Sequence, residues 1–148
     1  MGRTAYYSFL LGLTDYAIVD LPTINIGQAC FLGAVLGEDK IWLLGDSPDH
    51  KTGRIRIYPP SWSDDASERF AIVFNADSFT EMDRSFAFDY VRNAPTKSEV
   101  LLSINHECNA FTVSEAAAAT NFDFVHLRFP YWMRDGYLEE LFLPRQSG

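Results

Sequence analysis

Tyr16-Ala17-Ile18-Val19-Asp20-Leu21-Pro22 is the stretch whose reading decides the fold. Four apolar, partly β-branched residues follow one another without polar alternation, which predicts a strand buried on both faces of a parallel sheet. Asp20 then stands at the carboxyl end of that strand. Pro22 occupies a favourable first helical position, and Ile26, Ala29, Cys30, Gly33 and Leu36 recur at three-to-four spacing until Gly37 stops the pattern. A strand followed directly by a helix opens a βαβ rhythm.

Upstream of this stretch, Ala5, Tyr6, Phe9, Leu10 and Leu13 form a helical stripe that Gly12 and Thr14 close. Downstream, Ile41-Trp42-Leu43-Leu44 and Ile55-Arg56-Ile57-Tyr58 both read as extended, separated by turn-rich Gly45-Asp46-Ser47-Pro48-Asp49 and Thr52-Gly53. Two pairings compete. Either the two runs form a hairpin, or Ile55–Tyr58 is the next parallel strand with Pro59-Pro60 turning the chain after it; the second is favoured. Phe70–Phe74 reads as a strand that opens into Asn75-Ala76-Asp77-Ser78. A helical pattern through Phe79, Met82, Phe86 and Tyr90 follows, with Ser78 and Glu81 at capping-box spacing. Val100–Ile104 is a further strand ending in Asn105-His106-Glu107, and Thr112-Val113-Ser114-Glu115 opens an alanine-rich helix with the same capping spacing. Phe124–Phe129 is the last strand expected, and the tail after Leu143 is expected to fray. The alternation predicts an α/β fold, a three-layer sandwich around a mainly parallel sheet, in a single domain spanning 1–148.

Composition supports a packed core. Hydrophobic residues make up 47% of the 148 and charged residues 22%. With 20 acidic against 12 basic side chains the formal charge is -8, which disfavours a generic phosphate-binding surface, so no nucleic acid partner is expected. No apolar run approaches the roughly 20 residues that span a bilayer, so no membrane partner is expected either. Arg3 precedes an apolar stretch from Ala5 to Leu13, but Asp15 interrupts it and no small-residue cleavage site follows, so it reads as a helix and not an address. Tyr6 stands where a myristoylation signal needs Ser or Thr. Cys30 and Cys108 are the two cysteines, too few for a cross-linked scaffold, and fit a reducing, cytoplasmic setting.

In open parallel sheets, ligands bind beyond the carboxyl ends of the strands. Asp20, Tyr58-Pro59-Pro60, Asn75-Ala76-Asp77-Ser78 and Asn105-His106-Glu107 are therefore expected to share one rim. A carboxylate at the place of Asp20 can accept both hydroxyl protons of a ribose, or it can cap the helix that begins near Pro22. Asp77 is the more functional member of its group, Ser78 and Glu81 being assigned to capping. His106 beside Glu107 has the chemistry of a general base near neutral pH, with a structural histidine as the alternative. His106-Glu107-Cys108 is not His-Glu-x-x-His, and although Asp77 with Glu107 offers oxygen ligands for Mg²⁺, no spacing here requires a metal. His50 and His126 carry no functional expectation. Tyr58, Trp62, Trp42 and Phe79 offer stacking faces, but aromatics at this density are mostly core. Asp64-Asp65 reads as solvated surface.

With these residues in view, the chain resembles the class I sugar O-methyltransferases, which use S-adenosylmethionine. The resemblance rests on four ordered segments. They are Tyr16 to Pro22, the stretch from Gly45-Asp46-Ser47-Pro48 to Arg54-Ile55-Arg56-Ile57-Tyr58-Pro59-Pro60, Phe74-Asn75-Ala76-Asp77-Ser78-Phe79-Thr80-Glu81-Met82, and Ser103-Ile104-Asn105-His106-Glu107. It implies a Rossmann-like methyltransferase fold in which Gly2, Asp20, Tyr58 and Asn75 serve the cofactor, Asp20 holding its ribose and residues near Tyr58 flanking its adenine. It further implies that Asn75, Asp77 and His106 border the methyl acceptor, a sugar or glycan hydroxyl, with His106 or Asp77 removing the hydroxyl proton. Alignment of the reacting groups would contribute as much as the base or more.

One feature departs from that family. Its members carry a glycine-rich turn after a first strand, whereas Met1-Gly2-Arg3-Thr4-Ala5-Tyr6-Tyr7 looks like the end of that turn running into its helix, with Gly2 as its remnant. The resemblance thus implies an N-terminally truncated domain with little activity alone. The neighbours of the missing strand would lose backbone partners on one side. Two other readings compete: a non-catalytic binding module on the same scaffold, and a nicotinamide-dependent oxidoreductase resting on Asp20 alone. On the truncation reading, residues 1–148 by themselves bind S-adenosylmethionine weakly or not at all; micromolar binding in isothermal titration is the result that contradicts it.

Overall fold

The computed structural model describes residues 2–61 and 68–145. The chain packs as two compact units, Met1–Asp65 and Ala66–Gly148, each an α/β assembly.

The first unit holds α1 (Arg3–Leu10), β1 (Tyr16–Val19), α2 (Pro22–Leu36), β2 (Ile41–Leu43) and β3 (Ile55–Tyr58). Its sheet runs β1-β3-β2 with every pairing parallel, Tyr16 opposite Ile55 and Ile41 opposite Ile55. The hairpin alternative is therefore excluded, and the favoured parallel reading of Ile55–Tyr58 stands. Residues 44–54 form a crossover, as a parallel connection requires, and not a tight turn. The central strand is β3, with Ile55, Ile57 and Tyr58 buried, whereas β1 is only half-buried along its length. Ala5, Leu32, Ile41, Ile55 and Ile57 form the core, flanked by Phe9, Tyr16, Ile18 and Leu36. The face of α2 differs from the expected one: Ile26 is 66% exposed and Cys30 is exposed, while Leu32 and Gln28 are buried. A helix apolar on nearly every side gives periodicity no face to choose.

The second unit contains β4 (Phe70–Ala76), α3 (Arg84–Lys97), β5 (Ser98–His106), α4 (Val113–Ala118), β6 (Phe124–Pro130) and β7 (Tyr137–Pro144), in sheet order β4-β5-β7-β6. Strands β4 and β5 are parallel, and β7 lies antiparallel to both β5 and β6. Strand β7 has no counterpart in the sequence reading, because adjacent Glu139 and Glu140 break the alternation that would announce it. Of the tail expected to fray after Leu143, Pro144 instead belongs to β7 and the Arg145 amide donates to the Asp123 carbonyl at 2.9 Å, while residues 146–148 lie outside the described residues.

Helix α3 begins later than its pattern suggested. Ser78 precedes and Glu81 ends a 3-10 turn, Phe79–Glu81, without a side-chain cap bond, and Asp83 caps α3 by accepting the Ser85 amide at 2.9 Å. The Ser85 hydroxyl and amide hold the Asp83 carboxyl below its usual range. The turn shifts the phase of the helix, leaving Phe86 65% exposed and placing Ala87, Val91 and Ala94 inward. The second capping expectation holds, since Thr112 accepts the Glu115 amide at 3.2 Å.

Two cross-strand rows position everything that follows. Val73, Leu101, Phe142 and His126 stand side by side, and the next row toward the carboxyl ends of β4 and β5 is Asn75, Ser103, Glu140 and Arg128. Phe79, Val91, Leu101, Val113, Ala116, Ala117 and Phe142 pack around the first row. In the second, Glu140 is 2% exposed yet carries a carboxylate. Ser114 of α4 donates to it, His126 Nε2 lies at 3.0 Å and Arg128 Nε at 3.5 Å. A hydrogen bond to a charged group contributes about 1.5–3 kcal/mol. Ser114→Ala is accordingly expected to lower stability by about 2 kcal/mol in urea unfolding; an unchanged midpoint would count against this assignment.

Candidate functional site

Beyond the end of β1, the carboxylate of Asp20 is held at both oxygens. Oδ1 accepts the Leu21 amide at 2.8 Å, and Oδ2 accepts Gln28 Nε2 at 2.9 Å. The cap position of α2 belongs to Leu21, without a side-chain bond, so Asp20 is not the helix cap. One turn before Gln28, Asn25 Nδ2 donates to the carbonyls of Asp20 at 2.9 Å and Tyr58 at 2.8 Å. That bond stitches together the ends of β1 and β3. Tyr58 itself is 2% exposed, its ring 5.5 Å from that of Trp42, with Lys51 Nζ 4.6 Å from the Trp42 ring centre. Tyr58, Trp42 and Phe79 are thus core aromatics; Trp62, Asp64 and Asp65 lie outside the described residues.

A cleft of about 330 Å³ opens beside this carboxylate's support, lined by residues 2–5, Tyr16, Ile18 and Gln28. Gly2 caps α1 at φ 67, and a Cβ there would lie 3.2 Å from the Phe31 ring and 3.4 Å from Leu32. The Gly2 carbonyl takes the amide of Tyr6 at 2.9 Å, so the amides of Arg3, Thr4 and Ala5 are left without intrahelical acceptors. Burial raises the Tyr16 phenol above its ordinary range. Gln28 is 6% exposed, and its Oε1 is buried without a hydrogen-bond partner.

The second unit brings Asn75, Asp77 and His106 to the ends of β4 and β5. Asn75 is committed internally: Oδ1 accepts Asn105 Nδ2 at 2.9 Å and the Phe79 amide at 3.2 Å, and Nδ2 donates to Ser78. Asn105, 4% exposed, also donates to Ser103 at 2.9 Å and accepts the Ser78 amide at 3.2 Å. Asp77 has φ 53, a left-handed conformation that no other described non-glycine residue adopts, and its amide donates to the Ile104 carbonyl at 3.1 Å. Its carboxylate pairs with Arg134, which donates to Tyr137 Oη at 2.6 Å and lies 3.8 Å above that ring. The hydrogen bond with Asp77, aided by desolvation, pushes the Tyr137 phenol up.

His106 stands edge-on to Tyr137 with ring centres 4.9 Å apart, so Asp77 and His106 share Tyr137 as a neighbour. Its Nδ1 accepts the Cys108 amide at 3.0 Å. The neutral imidazole therefore carries its proton on Nε2. Gly136, at φ 78, closes on that nitrogen: a Cβ would come within 2.6 Å of it. Glu107 donates its amide to the Gly136 carbonyl at 2.9 Å and pairs with Arg128, linking this turn to the buried Glu140. His126 serves that buried carboxylate and His50 ends a 3-10 turn. Among the described residues no group of three or more His, Cys, Asp or Glu could hold a metal ion, and no helix is long and apolar enough to cross a membrane.

Asp20 and Tyr58 thus belong to the first unit, and Asn75, Asp77 and His106 to the second. Gln28, Arg134 and Tyr137 were not singled out from sequence. The one available signal was two amides at helical spacing, Asn25 and Gln28, in an otherwise apolar helix; Arg134 and Tyr137 depend on β7.

No family model and no curated protein matches the chain. Solved structures do. One titled "PigF with SAH" aligns at TM-score 0.53 and 8% identity over 86% of this chain and 42% of its own. Two titled as methyltransferase domains of bacterial CtHen1 align at 0.50 and 0.52, with 11% and 10% identity, over 86% of this chain and 76% and 75% of theirs. The chain therefore spans less than half the length of the first of these. The fold is of the α/β, Rossmann-like class seen in those methyltransferases.

Gly136→Ala drives a methyl group into the His106 ring and forces an L side chain into left-handed space. A stability loss of at least about 1–2 kcal/mol is expected, with displaced His106 ring resonances in NMR spectra. Asp77→Asn is expected to bring the Tyr137 phenol back toward its ordinary range, read from its ring-carbon shift against pH. Because the folded phenol is raised, the stability from this contact is full below the ordinary phenol range and falls as pH climbs through it.

Proposed function

We propose that this chain is built for S-adenosylmethionine-dependent methyl transfer to a hydroxyl of a sugar or glycan, acting in the cytoplasm as a single methyltransferase-like domain. The observation that carries the reading is Asp20: a carboxylate at a strand's carboxyl end, fixed at both oxygens through Leu21 and Gln28. The likeness in fold to structures titled as methyltransferase domains, and to one titled with SAH, supports it.

The residues present fit such a cofactor. The cleft volume of 330 Å³ lies at the lower end of small-molecule sites, roughly 300–1,000 Å³. Unpaired helix amides favour an acceptor or anionic group, while the unpartnered Gln28 Oε1 needs a donor. Asp20 would take the ribose hydroxyls. Gly2 serves by letting the backbone approach, since its φ and the nearness of Phe31 leave no room for a side chain. When bound, the cofactor supplies an electrophilic sulfonium methyl group.

On the acceptor side this reading gives two roles. His106 Nδ1 is engaged by the Cys108 amide and Nε2 carries the proton, so the neutral ring donates a hydrogen bond and orients an acceptor oxygen. Asp77 is the proton acceptor in this reading, its position set by a left-handed backbone and by Arg134. Asn75 acts through the turn it pins, and not by direct contact.

Titration of the isotopically labelled chain with S-adenosylhomocysteine up to millimolar concentration, followed by amide correlation NMR, tests the reading and detects weak binding. Shifts are expected at Arg3, Thr4, Ala5 and Leu21, and Asp20→Ala is expected to weaken binding at least about tenfold, or about 1.4 kcal/mol. Unmoved spectra overturn the proposal, and shifts with NADH but not with S-adenosylhomocysteine transfer Asp20 to the nicotinamide reading.

A further inference from the structure

Gln28 is a polar side chain buried in the middle of an apolar helix, and it does no work on the backbone. Asn25, three residues earlier on the same helix, already ties the ends of β1 and β3 through two carbonyls. Gln28 reaches a side chain instead: Nε2 donates to Asp20 Oδ2 at 2.9 Å. That bond fixes the amide's orientation physically. Turned over, the amide would set its oxygen against a carboxylate oxygen, two acceptors with no proton between them.

The orientation has a consequence for the other end of the amide. With Nε2 committed to Asp20, Oε1 is the polar atom of Gln28 left without a partner, shielded from water on a residue that lines the cleft. Buried acceptors without partners are rare in native proteins, because each gives up its hydration for nothing. The first turn of α1, whose amides are also unspent, lines the same cleft as Gln28.

We propose that Gln28 is a positioning residue for Asp20 and that its Oε1 accepts a hydrogen bond from a hydroxyl or ammonium donor of the ligand that fills the cleft. The ligand's identity rests on the cofactor reading above; the pairing of Gln28 with Asp20 does not. One amide thus does two things: through Nε2 it holds the Asp20 carboxylate in a single rotamer, and through Oε1 it offers the ligand an acceptor. The site would then discriminate for ligands that carry a donor at this place, since one without it leaves Oε1 buried and unpaired.

The test uses the chain with S-adenosylhomocysteine as probe, amide NMR for affinity and urea unfolding for stability. In the ligand-free protein, Asp20→Ala is expected to move the Gln28 Nε2 side-chain resonances, an arm independent of any cofactor. Gln28→Met keeps the volume and removes both polar atoms; a rise of at least about tenfold in Kd is expected with little change in stability, because removing the buried, unpartnered Oε1 offsets the lost bond to Asp20. Gln28→Glu keeps an oxygen for the cleft but loses the donor to Asp20, and an equal loss of affinity is expected. In an Asp20→Asn background, Gln28→Met should add less than about threefold, because coupled residues are not additive. A Gln28→Met protein that binds within about twofold of wild type, or effects of the two substitutions that multiply independently, overturns the proposal. If the wild type does not bind the probe, the cofactor reading falls, while unmoved Gln28 resonances in Asp20→Ala are what would sink the pairing.

Discussion

A buried carboxylate organises the second unit. Glu140 is almost fully enclosed, and an ionised group taken out of water is tolerated only if its oxygens are satisfied. Three side chains from two elements do this: Ser114 from α4, and His126 and Arg128 from β6. The arrangement also sets register. Side chains alternate along a strand, so a one-residue slip of β7 would bring Glu139 or Leu141 to this place and send Glu140 to the opposite face. Such a slip leaves the Ser114 hydroxyl and the Arg128 guanidinium with an apolar partner, or with a carboxylate in the wrong position. Arg128 carries the constraint outward, because the same guanidinium pairs with Glu107 in the turn that follows His106.

This explains why the interior of the second sheet changes character along its strands. The row through Leu101 is apolar apart from His126, whose ring stacks 4.3 Å from that of Phe142, and α3 and α4 cover it. The next row is polar throughout, and the residues beyond it, Asn105 and Asp77, are bound into a mesh of side-chain and backbone bonds. Polar groups at the end of a strand are inexpensive only when they bond one another, and here they do. A rigid, hydrogen-bonded rim is the condition under which a carboxylate and an imidazole can be held for chemistry.

How much of this was legible in sequence depended on which physical signal each element carries. Strand β1 follows from a continuous apolar run and the Thr112 cap from local spacing, whereas Ile55–Tyr58 was legible as extended but its parallel course only as the favoured of two pairings. The face of α2 was not legible because Ile26 and Cys30 are as apolar as Leu32, leaving tertiary packing to decide. The start of α3 was misplaced because Ser78 and Asp83 both have capping chemistry, and only the 3-10 turn between them settles which one caps. Strand β7 was hidden by the adjacent glutamates, and with it went Arg134, Tyr137 and Gly136, all of which bear on Asp77 and His106. Asp20, Asp77 and His106 were visible as residue types at strand ends; Gln28, which orients the first of them, was not, since a glutamine in a helix is ordinarily solvated.

Residue type at a strand end names candidates, but unspent hydrogen-bonding capacity ranks them. Asn75 has both acceptor bonds and one donor bond committed, so its contribution is mechanical. Tyr58 keeps its ring in the core and lends a carbonyl to Asn25 and to the Asp20 amide. His106 has Nδ1 engaged as an acceptor, which leaves the neutral ring Nε2 as a donor. Each Asp20 oxygen has accepted a single bond and can take another, and Gln28 has an oxygen with none. The unspent acceptors thus gather at Asp20, Asn25 and Gln28, in the unit whose helix α1 also leaves amide donors open. A ligand that satisfies both must carry donors and acceptors in one molecule, and that requirement, more than the presence of an acidic residue after a strand, is what the first unit contributes to the choice of ligand.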